Sequence, residues 1–291
     1  MMQNITLIIN VAITDLDYAE INLLHLCKSH NKIQRRIIII DNHKSKSAVY
    51  TNYDHKLEAL MLLAERLKKE NVITEIILSD TFSANNRLYK KYLGGIINEN
   101  ELYDYRGAPI WAYVIAFEIT HTKYLLHYDA DMLTYAPTQK WVDYAISKME
   151  NNSKFLCASP ATYPVDEQFE KKDVEFCWFS TRCSLINLSL FKVLKHSYPL
   201  KFRLELILRR LLKKSYPSAF ESLVSQMMVK RNLTSIYVKS NAAYIIHPEV
   251  KDINYLNILP AIIESVEVNQ IPNLQIGKEN IDVEAWKNHL N

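Results

Sequence analysis

The chain has 291 residues, 48% of them hydrophobic and 23% charged, which is too apolar for a disordered polymer and long enough for a substantial core. Thirty-five Lys and Arg against 32 Asp and Glu leave a formal charge of +3, too mild for a dedicated nucleic-acid binder, so nucleic acid is not an expected partner. Glycine is scarce: four residues, against a usual share of about 7%. Neither GxGxxG nor GxxxxGK[ST] occurs, which excludes the glycine-built phosphate grips of dinucleotide folds and P-loops.

The apolar run Ile5–Val11 has no basic stretch before it and meets Asp15 and Asp17 after it, so it reads as a buried first strand and not as a signal peptide. Asp17 and Glu20 suit a capping box opening a helix to about Ser29. Arg36–Asp41 is a second buried strand ending in a carboxylate, and Asp54–Glu70 a helix with Leu57, Leu60, Met61, Ala64 and Leu67 on one face. Ile73–Ser79 is a third strand. Pro109 suits the first turn of a helix that turns Ile110, Tyr113, Val114 and Phe117 inward. Tyr124–His127 is a fourth strand, running into Asp129. This alternation predicts an α/β fold with a mostly parallel sheet flanked by helices.

Beyond residue 135 the pattern loosens. Helices are expected over Pro137–Met149, Lys201–Lys214 and Ala219–Arg231, and strands over Phe155–Ser159, Cys183–Leu188 and Ile236–Val238. Thr162–Glu175 reads as a polar stretch before the aromatic segment Phe176–Phe179, which suits either core packing or stacking on a sugar. No linker or repeat interrupts the chain, so residues 1–291 are expected to form one domain with two functional halves, 1–135 and 136–291. Cys27, Cys157, Cys177 and Cys183 form neither a CxxC pair nor a zinc spacing and read as free thiols. No segment approaches the roughly 18 apolar residues of a spanning helix, and the expected location is cytoplasmic. The basic amphipathic segment 201–214 suits either a helix lying on an anionic membrane or one packing its apolar face on the core.

The strongest local signal is Tyr124-Leu-Leu-His-Tyr-Asp129-Ala-Asp131. Residues two apart on a strand share a face, so Asp129 and Asp131 are expected to project together where the sheet ends, the place where open α/β sheets bind ligands. Two convergent carboxylates suit Mg²⁺ or Mn²⁺ bridging a diphosphate. The bland reading is a solvated acidic turn.

The order of strand, helix, strand ending in Asp41, helix, then His127–Met132 resembles a nucleotide-sugar glycosyltransferase of the GT-A fold, closest to the family 2 inverting enzymes. The resemblance spans roughly residues 4–250 and rests on few motifs. It implies a GT-A-like sheet whose first half binds a nucleoside-diphosphate sugar and whose irregular second half takes a saccharide or lipid-linked acceptor. It further implies nucleotide contacts from Asn10, Ala12, Asp41 and Asp129, and a divalent metal, Mn or Mg, on Asp129 and Asp131, with His247 completing the shell. Asn42-His43-Lys44-Ser45 departs from the family pattern after Asp41. The family's general base maps best onto Glu221 in Ala219-Phe-Glu-Ser-Leu-Val224, where Phe220 replaces the usual preceding acid. A first-turn glutamate complementing the helix dipole is the plainer reading of Glu221. Competing acids are Asp166, Glu167, Glu170, Asp173 and Glu175. Two rival functions remain: a non-catalytic nucleotide-sugar binder of the same fold, and a DxDx[TV] phosphatase, which Leu133 and the mid-chain position of the motif disfavour.

Overall fold

The computed structural model describes residues 4–43, 52–82, 86–94, 103–104, 109–138, 140–164, 172–193, 198–212, 219–239 and 243–290. Its first part is β1 (Ile5–Ala12), α1 (Leu16–Ser29), β2 (Arg35–Asp41), α2 (Tyr53–Lys69), β3 (Glu75–Leu78), α3 (Asn86–Leu93), α4 (Trp111–Ile119) and β4 (Tyr124–Asp129). There follow β5 (Leu133–Tyr135), α5 (Lys140–Asn151), β6 (Phe155–Pro160), β7 (Val174–Phe176), β8 (Cys183–Asn187), α6 (Leu188–Val193), α7 (Leu200–Leu211) and α8 (Phe220–Arg231). The chain closes with β9 (Thr234–Val238), β10 (Tyr244–Ile246), α9 (Ile253–Glu267) and α10 (Val283–Leu290).

Eight strands form one sheet in the order β3-β2-β1-β4-β8-β6-β9-β7, and β10 pairs with β5 separately. β3, β2, β1 and β4 are parallel, as their crossover helices require; β8 then runs antiparallel to both β4 and β6. The α/β class predicted from the sequence is present, with a parallel portion continued by a mixed one.

Strand alternation divides the core. Ile5, Leu7, Ile9 and Val11 of β1 pack with Tyr124, Leu126 and Tyr128 of β4 on the face covered by α1, α2 and α5. Ile8, Ile37 and Leu125 point the other way, into a layer built with α4 and α8. Asn10, His127 and Asp129 share that second parity. α4 is buried nearly all round and not on one stripe, because its neighbours include the sheet, α3 and aromatic side chains of α6 and α8. A third cluster joins β5 and β10 to α9 and α10.

Several boundaries differ from expectation for visible reasons. α1 begins at Leu16, after a short 3₁₀ turn in which Asp15 Oδ2 accepts the Ala12 amide at 2.8 Å, while Glu20 pairs with Arg66 and plays no cap. Pro109 bridges to Tyr103 before the helix and does not open it. α9 runs through Pro260, a break signal that packing on β5 overrides. The scarcity of glycine is met partly by asparagine, which tolerates the left-handed conformation: Asn52, Asn71, Asn232 and Asn269 all have positive φ, and Asn232 caps α8. No helix among the described residues is long and apolar enough to cross a membrane. The four cysteines are free thiols, three of them buried.

Glu267 ties α9 to α1. It accepts from Lys28 and, at 3.1 Å, from His25 Nδ1, which must carry the proton because His25 Nε2 accepts the Thr134 amide. His25 and Lys28 together hold the Glu267 carboxyl down at about 2. A depressed carboxyl contributes stability that is whole above the ordinary carboxylate range and is lost as pH falls toward 2. Glu267→Gln should therefore lower the free energy of urea unfolding at neutral pH, by up to about 1 kcal/mol for so accessible a pair, and converge with the wild type in acid.

Candidate active site

The sequence places a carboxylate or amide at the carboxyl end of each of three adjacent strands. The parallel register sets Ala12 beside Asp41 and Asn10 beside Asp129. The turn after β4 is then pinned from two sides: the Ala130 amide donates to the Asn10 carbonyl at 2.9 Å, and Asn22 Nδ2 of α1 donates to the Ala130 carbonyl at 2.9 Å. Asn10, Ala12, Asp15, Asp41, Tyr113, Asp129, Asp131 and Lys251 thereby line a cleft of about 240 Å³. Larger hollows of about 500 and 530 Å³ lie elsewhere, beside α1 and α9, and contain none of these strand ends.

Asp41 is buried; its Oδ1 accepts from Ser79 Oγ at 3.0 Å, and that hydroxyl also meets His43 Nδ1 at 2.8 Å. Neither side-chain atom of Asn10 has a hydrogen-bond partner among the described residues, although both are buried. An orphaned amide costs desolvation energy that a ligand could recover. Asp129 receives the Tyr113 hydroxyl on both oxygens, at 2.8 and 3.1 Å. Burial pushes the Asp129 carboxyl well above the usual range, and Asp131, Glu221 and Asp15 push the same way against the Tyr113 bond. Asp15, also raised by burial, is held by Tyr18 and by the field of Lys251.

Lys251 answers this charge. Its Nζ lies 2.8 Å from Asp131 Oδ2 and donates at 2.8 Å to the Tyr18 hydroxyl, which in turn donates to Asp15. Burial alone would lower its pKa, but Asp131, Asp15 and Asp129 hold it above the ordinary lysine value.

Glu221 sits in the first turn of α8, with Oε1 accepting from Thr181 Oγ1 at 2.7 Å. Phe220 stacks on Tyr113 at 5.0 Å between centroids, which brings the start of α8 to the Asp129 side of the cleft. The Thr181 carbonyl fixes His127 through Nδ1 at 2.9 Å, so that nitrogen carries the proton and Nε2 is a buried lone pair 4.0 Å from Asp129 Oδ1. Burial holds His127 neutral, its pKa down at about 3. His247 repeats the pattern: Nδ1 donates to the Pro248 carbonyl at 3.0 Å, Nε2 is buried with no hydrogen-bond partner among the described residues and lies 3.7 Å from Glu279 Oε1, and burial lowers its pKa.

The structure thus gathers Asn10, Ala12, Asp41, Asp129 and Asp131, and sets Glu221 near Asp129. It does not gather His247 with the two aspartates: among the described residues no group of three or more His, Cys, Asp or Glu forms a metal-holding set. Asp129 and Asp131 still fit a small divalent cation, as hard oxygens in a field of excess negative charge, and Mg²⁺ commonly takes only one or two carboxylates beside phosphate oxygens. Of the competing acids, Asp173 is tied to Tyr144 at 2.6 Å and to the Lys239 amide, and Glu175 lies on β7; Asp166, Glu167 and Glu170 are outside the described residues, as are Lys44 and Ser45. The aromatic segment divides: Phe179 is core, Phe176 stacks on Tyr237, and Trp178 is exposed.

Sequence reasoning missed Asp15, Tyr113, His127, Thr181 and Lys251 as members of this site. His127 carried a signal, since it shares strand parity with Asp129. Lys251 carried none, because it arrives from beyond β10.

No protein-family model matches the chain, and no curated protein matches it. Among solved structures it is similar to the glucosyl-3-phosphoglycerate synthase of Mycobacterium tuberculosis in complex with Mn²⁺, UDP and phosphoglyceric acid, at 7% identity and TM-score 0.28 over 54% of this chain. The chain spans 43% of that protein's length. It is similar also to S. aureus TarS, at 10% identity and TM-score 0.44 over 99% of this chain and 69% of the other, and to a mycobacterial protein at 7% and 0.38 over 91% and 73%. At such values the likeness is remote, and the chemistry of this chain rests on its own residues.

Two asparagines should respond oppositely. Asn10→Val removes an unpaired buried amide and should leave the melting temperature unchanged or raised. Asn22→Ala orphans the Ala130 carbonyl and should cost about 1–3 kcal/mol in denaturant unfolding.

Proposed function

We propose that the chain is a glycosyltransferase that moves a sugar from a nucleoside-diphosphate sugar to an acceptor hydroxyl, in glycan or polysaccharide assembly. The convergence of Asn10, Asp41, Asp129 and Asp131 at the carboxyl ends of β1, β2 and β4 carries this reading, because open α/β sheets bind their ligands there. In it, residues 1–135 bind the donor and 136–291 the saccharide or lipid-linked acceptor. Asp41 and the unpartnered Asn10 amide read the nucleotide, beside the small side chain of Ala12.

Asp129 and Asp131 are the residues that would hold Mn²⁺ or Mg²⁺. When bound, such a cation supplies positive charge against the departing diphosphate. Lys251, already seated on Asp131, contributes a second positive charge at the same edge. Glu221 is the proposed general base: Thr181 holds one oxygen of its carboxylate at the start of α8, within the electrostatic reach of Asp129, and it would take the proton of the attacking hydroxyl. Direct attack of that hydroxyl at the anomeric carbon gives inversion.

A thermal-shift screen of nucleoside diphosphates with and without Mn²⁺ tests the site. One diphosphate plus metal should stabilise the protein, by about 2.7 kcal/mol at a hundredfold excess over Kd, and Asp131→Ala should abolish the effect. With the donor so identified, Glu221→Gln should retain that stabilisation and lose about 10²–10⁴-fold in kcat; turnover at the wild-type rate would remove Glu221 as the base.

A further inference from the structure

The helix α7 packs by the wrong side for an ordinary surface helix. Leu206 is its buried residue, and Phe202, Arg209 and Arg210 are half-buried on the same side. At about 100° per residue, Leu200, Leu204, Ile207, Leu208 and Leu211 fall on the opposite side, and each is at least half exposed, Leu211 by 75%. The apolar face expected to seat on the core instead faces solvent. Isolated exposed leucines need no explanation, but a continuous stripe along a helix marks an interaction surface.

Charge says what covers it. Lys201 and Arg203 border the stripe on its two sides and are exposed. Arg209 and Arg210 add positive charge in the last turn, against the single acid Glu205, which Arg209 pairs at 2.9 Å. In sequence the segment continues into Lys213-Lys214, outside the described residues. A leucine face rimmed by Lys and Arg is the make-up of a helix that lies flat in a membrane interface, its basic side chains reaching up to anionic headgroups. We infer that α7 is a peripheral docking helix for an anionic lipid surface. This binding needs no donor or metal, so it stands or falls apart from the glycosyl-transfer reading.

Flotation of the full chain with phosphatidylcholine–phosphatidylglycerol vesicles, beside vesicles of phosphatidylcholine alone, tests this. The chain should float with the anionic vesicles only and be released by added NaCl. Lys201→Gln with Arg203→Gln should weaken binding about thirtyfold, and Leu204→Gln with Leu211→Gln should abolish it. All four positions are exposed, so the variants should melt as the wild type does. Failure to float with anionic vesicles at low salt would overturn the inference, as would unchanged flotation of the leucine variant. So would a dimer that the leucine variant converts to monomer without any vesicle binding, which would assign the face to a second copy of the chain.

Discussion

The site turns on an excess of negative charge. Asp15, Asp131 and Glu221 each act on Asp129, and Lys251 reaches Asp15, Asp129 and Asp131. Burial raises the carboxyls of Asp129 and Asp15, and the neighbouring acids push Asp129 the same way. Such a cluster is poorly compensated by the protein itself. In the proposed reading a bound cation would compensate it and offer positive charge to an anionic ligand.

The rest of the fold keeps the cluster from relaxing. Parallel pairing of β1 with β2 and β4 fixes the strand ends in register, Asn22 and the Asn10 carbonyl hold the turn, and Tyr113 on the buried helix α4 clamps Asp129. His127 and His247 have their pKa values lowered by burial and each is committed through Nδ1 to a backbone carbonyl, so neither contributes a proton to offset it. The glycine scarcity of the sequence fits this design. The chain has no glycine loop to surround a phosphate with amides, and it turns its helices with asparagines instead; in the proposed reading a cation held by the carboxylates would meet the ligand's charge.

The parallel portion of the sheet was legible because its strands are continuous apolar runs, and its helices carry period-3.6 stripes. Asp41, Asp129 and Asp131 stood out because carboxylates directly after such runs are otherwise costly. What sequence periodicity could not show was tertiary. Tyr113 reads as one more apolar-face residue until α4 is seen against β4. Lys251 is a lone lysine until β10 and α9 carry it back to the cleft. α9 was not read from the sequence, and it runs through Pro260. For α7, the leucine stripe was visible, but periodicity does not say whether a stripe faces the core or the solvent: only packing reveals that Leu206, and not the stripe, faces inward.

Everything proposed for the cleft depends on Asp129 and Asp131 forming a cation site completed by a nucleoside diphosphate. Electron paramagnetic resonance of Mn²⁺ titrated into the full chain tests it most directly, since protein-bound Mn²⁺ loses the sharp signal of the free ion. The protein alone should bind weakly, bind tighter at one ion per chain once UDP or another nucleoside diphosphate is added, and lose that ternary complex in Asp131→Ala. A free-ion signal unchanged by the wild-type protein at every nucleotide tried, or equal binding by wild type and Asp131→Ala, would contradict it.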